Sequence, residues 1–193
     1  MEQYKMILTA EEKMAREVTL GVIVTRPLTV WHYIIPGMFI IDFLRRGSAL
    51  RKYTQTFMFP RKLAIDAAQA LVQEEDKTTV FSHIENETRV WLNSLDLYTP
   101  GLLQAQLAVI KLLVDHYAKL LKEDAYSVYA LIKKAYGSRE DFQRFIEELT
   151  AAEAEVDREL IAKKGETEKL KAKIEAEQKQ LEERREKIVE EIF

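Results

Sequence analysis

The chain of 193 residues contains no cysteine, which excludes disulfide bonds, thiolate metal ligands and a cysteine nucleophile. It has only six glycines and four prolines, which is few for an all-β protein with many turns. The glycines are isolated from one another, so neither a P-loop nor a GxGxxG dinucleotide-binding motif is present. With 47% hydrophobic residues and long stretches of Ala, Leu, Glu, Lys and Gln, the sequence predicts an all-α fold.

Charge is divided unevenly along the chain. The formal net charge of −3 argues against a protein that coats nucleic acid. Residues 1–138 carry 17 basic and 15 acidic side chains, a net of +2, and residues 139–193 carry 12 and 17, a net of −5. The first residues include acids and no continuous apolar stretch, so no cleavable signal peptide is evident. We therefore expect synthesis and residence in the cytoplasm.

The longest apolar stretch, residues 28–44, reads LTVWHYIIPGMFIIDFL. Its length is at the short limit for crossing a bilayer, and His32, Asp42 and the helix-breaking Pro36 oppose a full crossing. A shallow or re-entrant insertion needs fewer apolar residues, and the aromatic side chains suit the membrane interface. The predicted membrane contacts are Trp31, Tyr33, Ile34, Ile35, Phe39, Ile40, Ile41, Phe43 and Leu44.

A basic segment, residues 45–62, follows the apolar stretch at once. Between Phe43 and Ile65 there are six cations and no acid. Concentrated positive charge beside apolar surface favours an anionic membrane, and each cation near it contributes up to about 1 kcal/mol. We therefore expect an anionic membrane surface as a partner and the cytoplasmic face of a membrane as the location. The predicted anionic-lipid contacts are Arg45, Arg46, Arg51, Lys52, Arg61 and Lys62.

The same apolar stretch is also compatible with a protein that does not bind membranes. In a soluble all-α protein it would be buried in the core or against another chain, and the cations would be solvated or paired with acids of the C-terminal helix. Nucleic-acid binding has weaker support, which rests on Tyr53, Phe57 and Phe59 beside the cations, because aromatic rings stack on bases. We predict a monotopic or re-entrant membrane-associated helical scaffold or adaptor. The alternative is a soluble all-α protein-interaction subunit.

Local signals predict the first helix boundaries. Thr9 and Glu12 have the spacing of a capping box, and the helix that they open is expected to end at Gly21. A later helix through the basic segment is expected to break at Pro60. These signals divide the chain into an N-terminal region with the apolar segment, a helical domain and a charged C-terminal helix, at residues 1–59, 60–164 and 165–193.

Within the helical domain, the signals differ in strength. Residues 78–95 are ambiguous, because Val90, Trp91 and Leu95 suit one helical face but the β-branched content lowers helix propensity. Pro100 begins the clearest amphipathic helix, with apolar residues at spacings of three and four. A short helix over 126–136 is expected to end at the glycine that follows it.

Ser138 and Asp141 resemble a capping box that opens a long helical tract. One heptad position of this tract is apolar at Ile146, Leu160, Ile174, Leu181 and Ile188. The companion position fails at Glu177 and Arg184, whereas a strong coiled coil keeps both positions apolar. We therefore predict that residues 142–163 pack partly on the domain. The charged helix of 165–193 is expected to project into solvent, where it is available for self-association or a protein partner.

Catalytic and metal-binding patterns are weak. His83 and Glu87 are four apart and share a helical face, but no further ligand motif completes a metal site. Asp115 and His116 are adjacent and point in different directions on a helix, so they do not form an orienting acid–base pair. We expect no enzyme activity, no metal and no cofactor.

Overall fold

The computed structural model describes residues 2–24, 38–165 and 167–193, with the backbone alone for 21–24, 38–50, 52, 53, 169 and 173. Over this part of the chain there are seven α-helices and no strand, which confirms the all-α prediction. The helices are α1 Glu2–Val24, α2 Met38–Val72, α3 Lys77–Ser94, α4 Pro100–Leu121, α5 Val128–Tyr136, α6 Arg139–Lys164 and α7 Glu168–Ile192.

Five helices begin at a side chain that caps their free N–H groups. In each, the oxygen of the capping residue accepts a hydrogen bond from the backbone N–H three residues later, which satisfies a donor that the helix itself leaves unpaired. The predicted starts at Pro100 and Ser138 are confirmed, and α5 ends at Gly137, whose φ of +70° favours glycine. The capping residues are Asp76, Thr99, Ser127, Ser138 and Thr167.

The predicted boundaries in the first 60 residues are wrong. Helix α1 begins at Glu2 and runs through both Thr9 and Gly21, and α2 runs through Pro60. A proline removes one backbone hydrogen bond, but packing on the adjacent residues holds α2 together across it. The Phe59 ring stacks on Trp91 with centroids 4.6 Å apart, and Phe57 is buried. Tertiary contacts therefore override the local break signal.

Helix α4 lies at the centre of the fold. Eleven of its residues are buried, and it contacts α1, α2, α3, α5 and α6. Its Val109, Ile110, Leu113, Val114 and Tyr117 join the main core cluster with residues from α1, α2, α3, α5, α6 and α7. Helix α4 therefore buries more of its circumference than the single apolar stripe that the sequence predicts, because other helices pack on several sides of it.

Helix α3 resolves the ambiguous stretch, but its buried face differs from the predicted one. Val90 is 57% exposed, whereas Ile84, Thr88 and Leu92 are buried one turn apart. Thr88 is tolerated in this face because its hydroxyl donates to the Ile84 carbonyl oxygen at 2.7 Å. The β-branched residue therefore satisfies its own polar atom within the helix.

Helix α7 does not project into solvent as predicted. It folds back on α6 and packs against α1, α5 and α6. Its buried side chains are Ile174, Leu181, Arg185, Val189 and Ile192. The heptad pattern does not reveal this face because one of its members is an arginine, and a buried charge counts as an interruption in any pattern of apolar residues.

Candidate functional site

Helices α1 and α2 form an antiparallel pair with a continuous register. The Tyr4 hydroxyl donates to Asp66 at 2.6 Å near one end, and the Thr54 hydroxyl donates to Thr19 at 3.2 Å near the other. Ala15 and Val18 pack with Phe57 and Met58 between these contacts. The stretch 25–37 therefore connects the helix ends that are remote from Tyr4 and Asp66.

The predicted membrane contacts lie largely outside the described residues. Trp31, Tyr33, Ile34 and Ile35 are among 25–37, and so is His32. For the remaining contacts and three of the predicted lipid-binding cations, the backbone belongs to α2 and the side chains lie outside the description. These residues are Phe39, Ile40, Ile41, Phe43, Leu44, Arg45, Arg46 and Lys52.

The three predicted lipid-binding cations with described side chains differ in their surroundings. Arg51 is exposed on α2. Lys62 is also exposed, and it forms an ion pair with Asp66 one turn later at 2.9 Å. Arg61 is 4% exposed, so the expectation that it reaches a lipid surface is wrong. Its guanidinium is enclosed between helices, 4.0 Å from the centre of the Phe57 ring.

Arg61 belongs to a chain of four charged side chains that we call the buried charge cluster: Glu11, Arg61, Glu153 and Arg185. Arg61 Nε lies 3.1 Å from Glu11 Oε2, and its Nη2 lies 3.4 Å from Glu153 Oε1. Arg185 Nη2 contacts the other Glu153 oxygen at 2.7 Å, while its Nη1 donates to the Thr150 hydroxyl at 2.7 Å. The cluster therefore links α1, α2, α6 and α7 with two charges of each sign.

The electrostatics of the buried charge cluster favour the charged form of Arg61. Burial lowers the pKa of Arg61, but the carboxylates of Glu11 and Glu153 raise it, and the net shift is upward. The Tyr117 hydroxyl is buried beside them, and burial together with Glu11 raises its pKa well above the ordinary value. Since both carboxylates are engaged by arginine, the cluster suits helix packing and not proton transfer.

A second polar site surrounds His116. Its Nδ1 lies 2.7 Å from the Tyr136 hydroxyl, and its ring stacks on Phe145 with centroids 4.3 Å apart. Burial, with a smaller contribution from Lys119, lowers the pKa of His116 to about 3, so the imidazole is neutral at pH 7. The cavity here has a volume of about 420 Å³ and is lined by Leu112, Asp115, His116, Lys119, Ala135, Tyr136, Asp141, Arg144, Phe145 and Glu148.

The other candidate residues do not gather into a site. His83 is exposed and Glu87 is half-buried on α3. Asp115 is exposed whereas His116 is buried, in keeping with their opposed directions on α4. Among the residues that the structure describes, no three His, Asp or Glu side chains converge to hold a metal ion.

Sequence reasoning missed both the buried charge cluster and the contact between His116 and Tyr136. The four members of the cluster come from four helices, and Glu11 lies more than 140 positions before Glu153. No spacing rule connects such residues. The nearest sequence signal is Glu153, which together with Thr167 interrupts the apolar heptad series.

Over the described ranges 2–24, 38–165 and 167–193, no helix combines the length and apolar character needed to cross a bilayer. Comparison with protein-family models, with curated proteins and with solved structures finds no match. The function therefore has to be inferred from the residues and their geometry.

Proposed function

We propose that this protein is a helical scaffold or adaptor that attaches to an anionic membrane surface through residues 28–44. The observation that carries the proposal is the position of this segment in the chain topology. Residues 28–44 include the connection between α1 and α2, at the ends of these helices that are remote from the main core.

The register of the two helices supports this proposal. Because Thr19 lies beside Thr54 in an antiparallel pair, the level of Val24 corresponds to about residue 49 of α2. The described backbone of α2 continues from this level to Met38, about 16 Å farther along the helix at 1.5 Å per residue. In the proposed attachment, this end of the helix pair meets the membrane while the core around α4 stays packed.

Fewer cations are available for this attachment than the six that the sequence predicts. With Arg61 buried and Lys62 paired with Asp66, the cations left for an anionic surface are Arg45, Arg46, Arg51 and Lys52. At up to about 1 kcal/mol each, they contribute up to roughly 4 kcal/mol at low salt. The apolar residues supply the remaining free energy of binding.

The alternative function is a soluble interaction subunit that buries residues 28–44 in its own core or against another protein. Leu20, toward the same end of α1, is 47% exposed, and an exposed apolar side chain there suits a protein partner as well as a lipid surface. The two functions differ in whether the purified chain binds lipid vesicles.

Flotation with liposomes tests the electrostatic part of the proposal. We expect the full-length chain to float with vesicles that contain phosphatidylserine, and to bind pure phosphatidylcholine vesicles more weakly. Replacing Arg45, Arg46, Arg51 and Lys52 together by glutamine should lower the partition coefficient on anionic vesicles by about tenfold or more, and less at high salt.

A matched variant controls for the change in net charge. It replaces four exposed lysines on other parts of the surface by glutamine and should float like the unmodified chain. Equal loss of binding in both variants would show that net charge alone governs flotation, and absence of flotation in the unmodified chain would favour the soluble subunit. The control lysines are Lys111, Lys122, Lys163 and Lys164.

A further inference from the structure

We propose that α7 is exchanged between two copies of this chain, so that the hairpin of α6 and α7 opens and each α7 docks on the body of the other copy. The occupant of the docking surface is thus a second copy of the same helix. The exchange specifies how the proposed scaffold self-associates, but it does not depend on membrane binding. Three features support it: the hinge, the contacts of α7 and the heptad pattern that crosses the hinge.

The hinge between the two helices is short and is closed by a glycine. Helix α6 ends at Lys164 and α7 begins at Glu168, so three residues separate the two helices in the chain. Gly165 has φ +79° and ψ 148°, a conformation open almost only to glycine. A short connection that depends on one special conformation is the type of hinge at which helices are exchanged between protomers.

The contacts of α7 are specific and pair opposite charges. Arg184 forms an ion pair with Glu17 of α1 at 2.5 Å, and Arg185 lies between Glu153 and Thr150 of α6. Farther along the helix, Lys133 of α5 donates to the carbonyl oxygen of Ile192 at 3.1 Å. An α7 from a second copy has the same side chains, so it satisfies each of these groups equally well.

Helix α7 also packs its apolar side chains into the core of the protein. Leu181 packs in the cluster that contains Ala15 and Val18, and Val189 and Ile192 belong to the main core. If α7 left this surface without a replacement, these apolar side chains and the carboxylates of Glu17 and Glu153 would meet solvent. Exchange with a second copy avoids this cost, because the surface is covered in both states.

The heptad pattern favours a straight helix as the open form. Five apolar residues recur at multiples of seven from α6 into α7, without a shift at the hinge. Straightening the hinge therefore leaves them on one side of a single helix that spans residues 139–192, about 80 Å long. These residues are Ile146, Leu160, Ile174, Leu181 and Ile188.

Crosslinking tests the exchange, and the absence of natural cysteine makes it specific. Gln178 Nε2 of α7 donates to Asp157 of α6 at 2.8 Å, so a double variant, Asp157→Cys with Gln178→Cys, brings two thiols close together. A short bis-maleimide reagent then joins them within one chain when the hairpin is closed. In the exchanged dimer it joins two chains, which run at twice the mass on a denaturing gel.

Replacing Gly165 by alanine should shift the chain toward the dimer. Alanine disfavours the closed hinge by about 5- to 150-fold, and because two hinges open in each dimer, the dissociation constant of the dimer should fall by at least about 25-fold. Light scattering coupled to size-exclusion chromatography, without lipid, measures this constant. The dimer must also give the crosslink between chains in the Asp157→Cys, Gln178→Cys background.

Gly137→Ala is the matched control. Gly137 also has positive φ, at +70°, but it lies between α5 and α6, away from the hinge. Equal dimerisation of both glycine variants would overturn the proposal, because general destabilisation would then explain it. A Gly165→Ala dimer with crosslinks only inside each chain would overturn it too.

Replacing Gly165, Glu166 and Thr167 together by alanine keeps the proposal testable if Gly165→Ala fails to fold. This change favours a helix across the connection and preserves the spacing of the apolar heptad residues, so the chain has no turn with which to fold back. We expect this variant to be a dimer at all accessible concentrations, with the far-ultraviolet circular dichroism of the unmodified chain. A folded monomer would overturn the proposal.

Discussion

Replacing Arg61 by alanine is expected to lower the free energy of unfolding by about 3–5 kcal/mol, the largest effect of any single substitution considered for this protein. Arg61 is the described ion-pair partner of Glu11 and one of two described partners of Glu153. Without the guanidinium, Glu11 is a partly buried carboxylate that has lost its described cation. Urea unfolding followed by circular dichroism at 222 nm measures the loss.

Two further variants separate this effect from a general change on α2. Lys62→Ala alters the neighbouring, exposed lysine and should change the free energy of unfolding by no more than about 0.5 kcal/mol. Arg61→Met combined with Glu11→Leu removes a whole ion pair and should recover much of the loss. If Arg61→Ala has the same stability as Lys62→Ala, the buried charge cluster does not hold these helices together.

The second large effect is expected in the acid stability of the protein, through His116. The pKa of this histidine is about 3 in the folded chain and about 6.5 when unfolded, so below pH 6.5 the unfolded chain binds a proton that the folded chain does not. The contribution of His116 to stability is therefore fully present above pH 6.5 and is lost as the pH decreases toward 3. At pH 4.5 the loss from His116 alone is about 2.5 kcal/mol.

The His116→Phe variant should reverse its rank against the unmodified chain as the pH changes. At pH 7.5 it loses the hydrogen bond with the Tyr136 hydroxyl and should be less stable by about 1 kcal/mol. At pH 4.5 it has no histidine to protonate here and should be more stable by about 1.5 kcal/mol. Urea titrations at both pH values measure the two differences.

The control for this prediction is His83→Phe, the same change at an exposed histidine. We expect its stability difference from the unmodified chain to stay within about 0.5 kcal/mol at both pH values. The other charged groups around His116 are the same in the unmodified chain and in the variant. A His116→Phe difference that is independent of pH would contradict the burial of a neutral imidazole.

The features that the sequence predicted correctly depend on short stretches of chain. The helix starts at Pro100 and Ser138 are set by a proline or a capping side chain within four residues of the start. Helix α5 ends before Gly137 because this glycine adopts a positive φ, which depends on that residue alone. The membrane contacts in residues 28–44 also follow from local composition, and they stay a prediction.

The features that it missed depend on packing between distant helices. Pro60 does not break α2, because Phe59 and Trp91 stack across two helices. The sequence predicts a lipid contact for Arg61, but carboxylates from α1 and α6 enclose its guanidinium. Arg185 interrupts the apolar pattern of the buried α7 face for the same reason. From sequence alone, a charged side chain is predicted to be exposed unless a partner of opposite charge can be identified. The partners of Arg61 and Arg185 lie far from them in the chain.

The most direct test of the proposed membrane attachment combines flotation with unfolding. The full-length chain and an Ile34→Asp, Phe39→Asp variant are mixed with anionic liposomes, and each is separately unfolded in urea. We expect that the unmodified chain floats, that the variant stays in the soluble fraction, and that their free energies of unfolding agree within about 1 kcal/mol. A variant that unfolds or aggregates would contradict the attachment and assign residues 28–44 to a protein core.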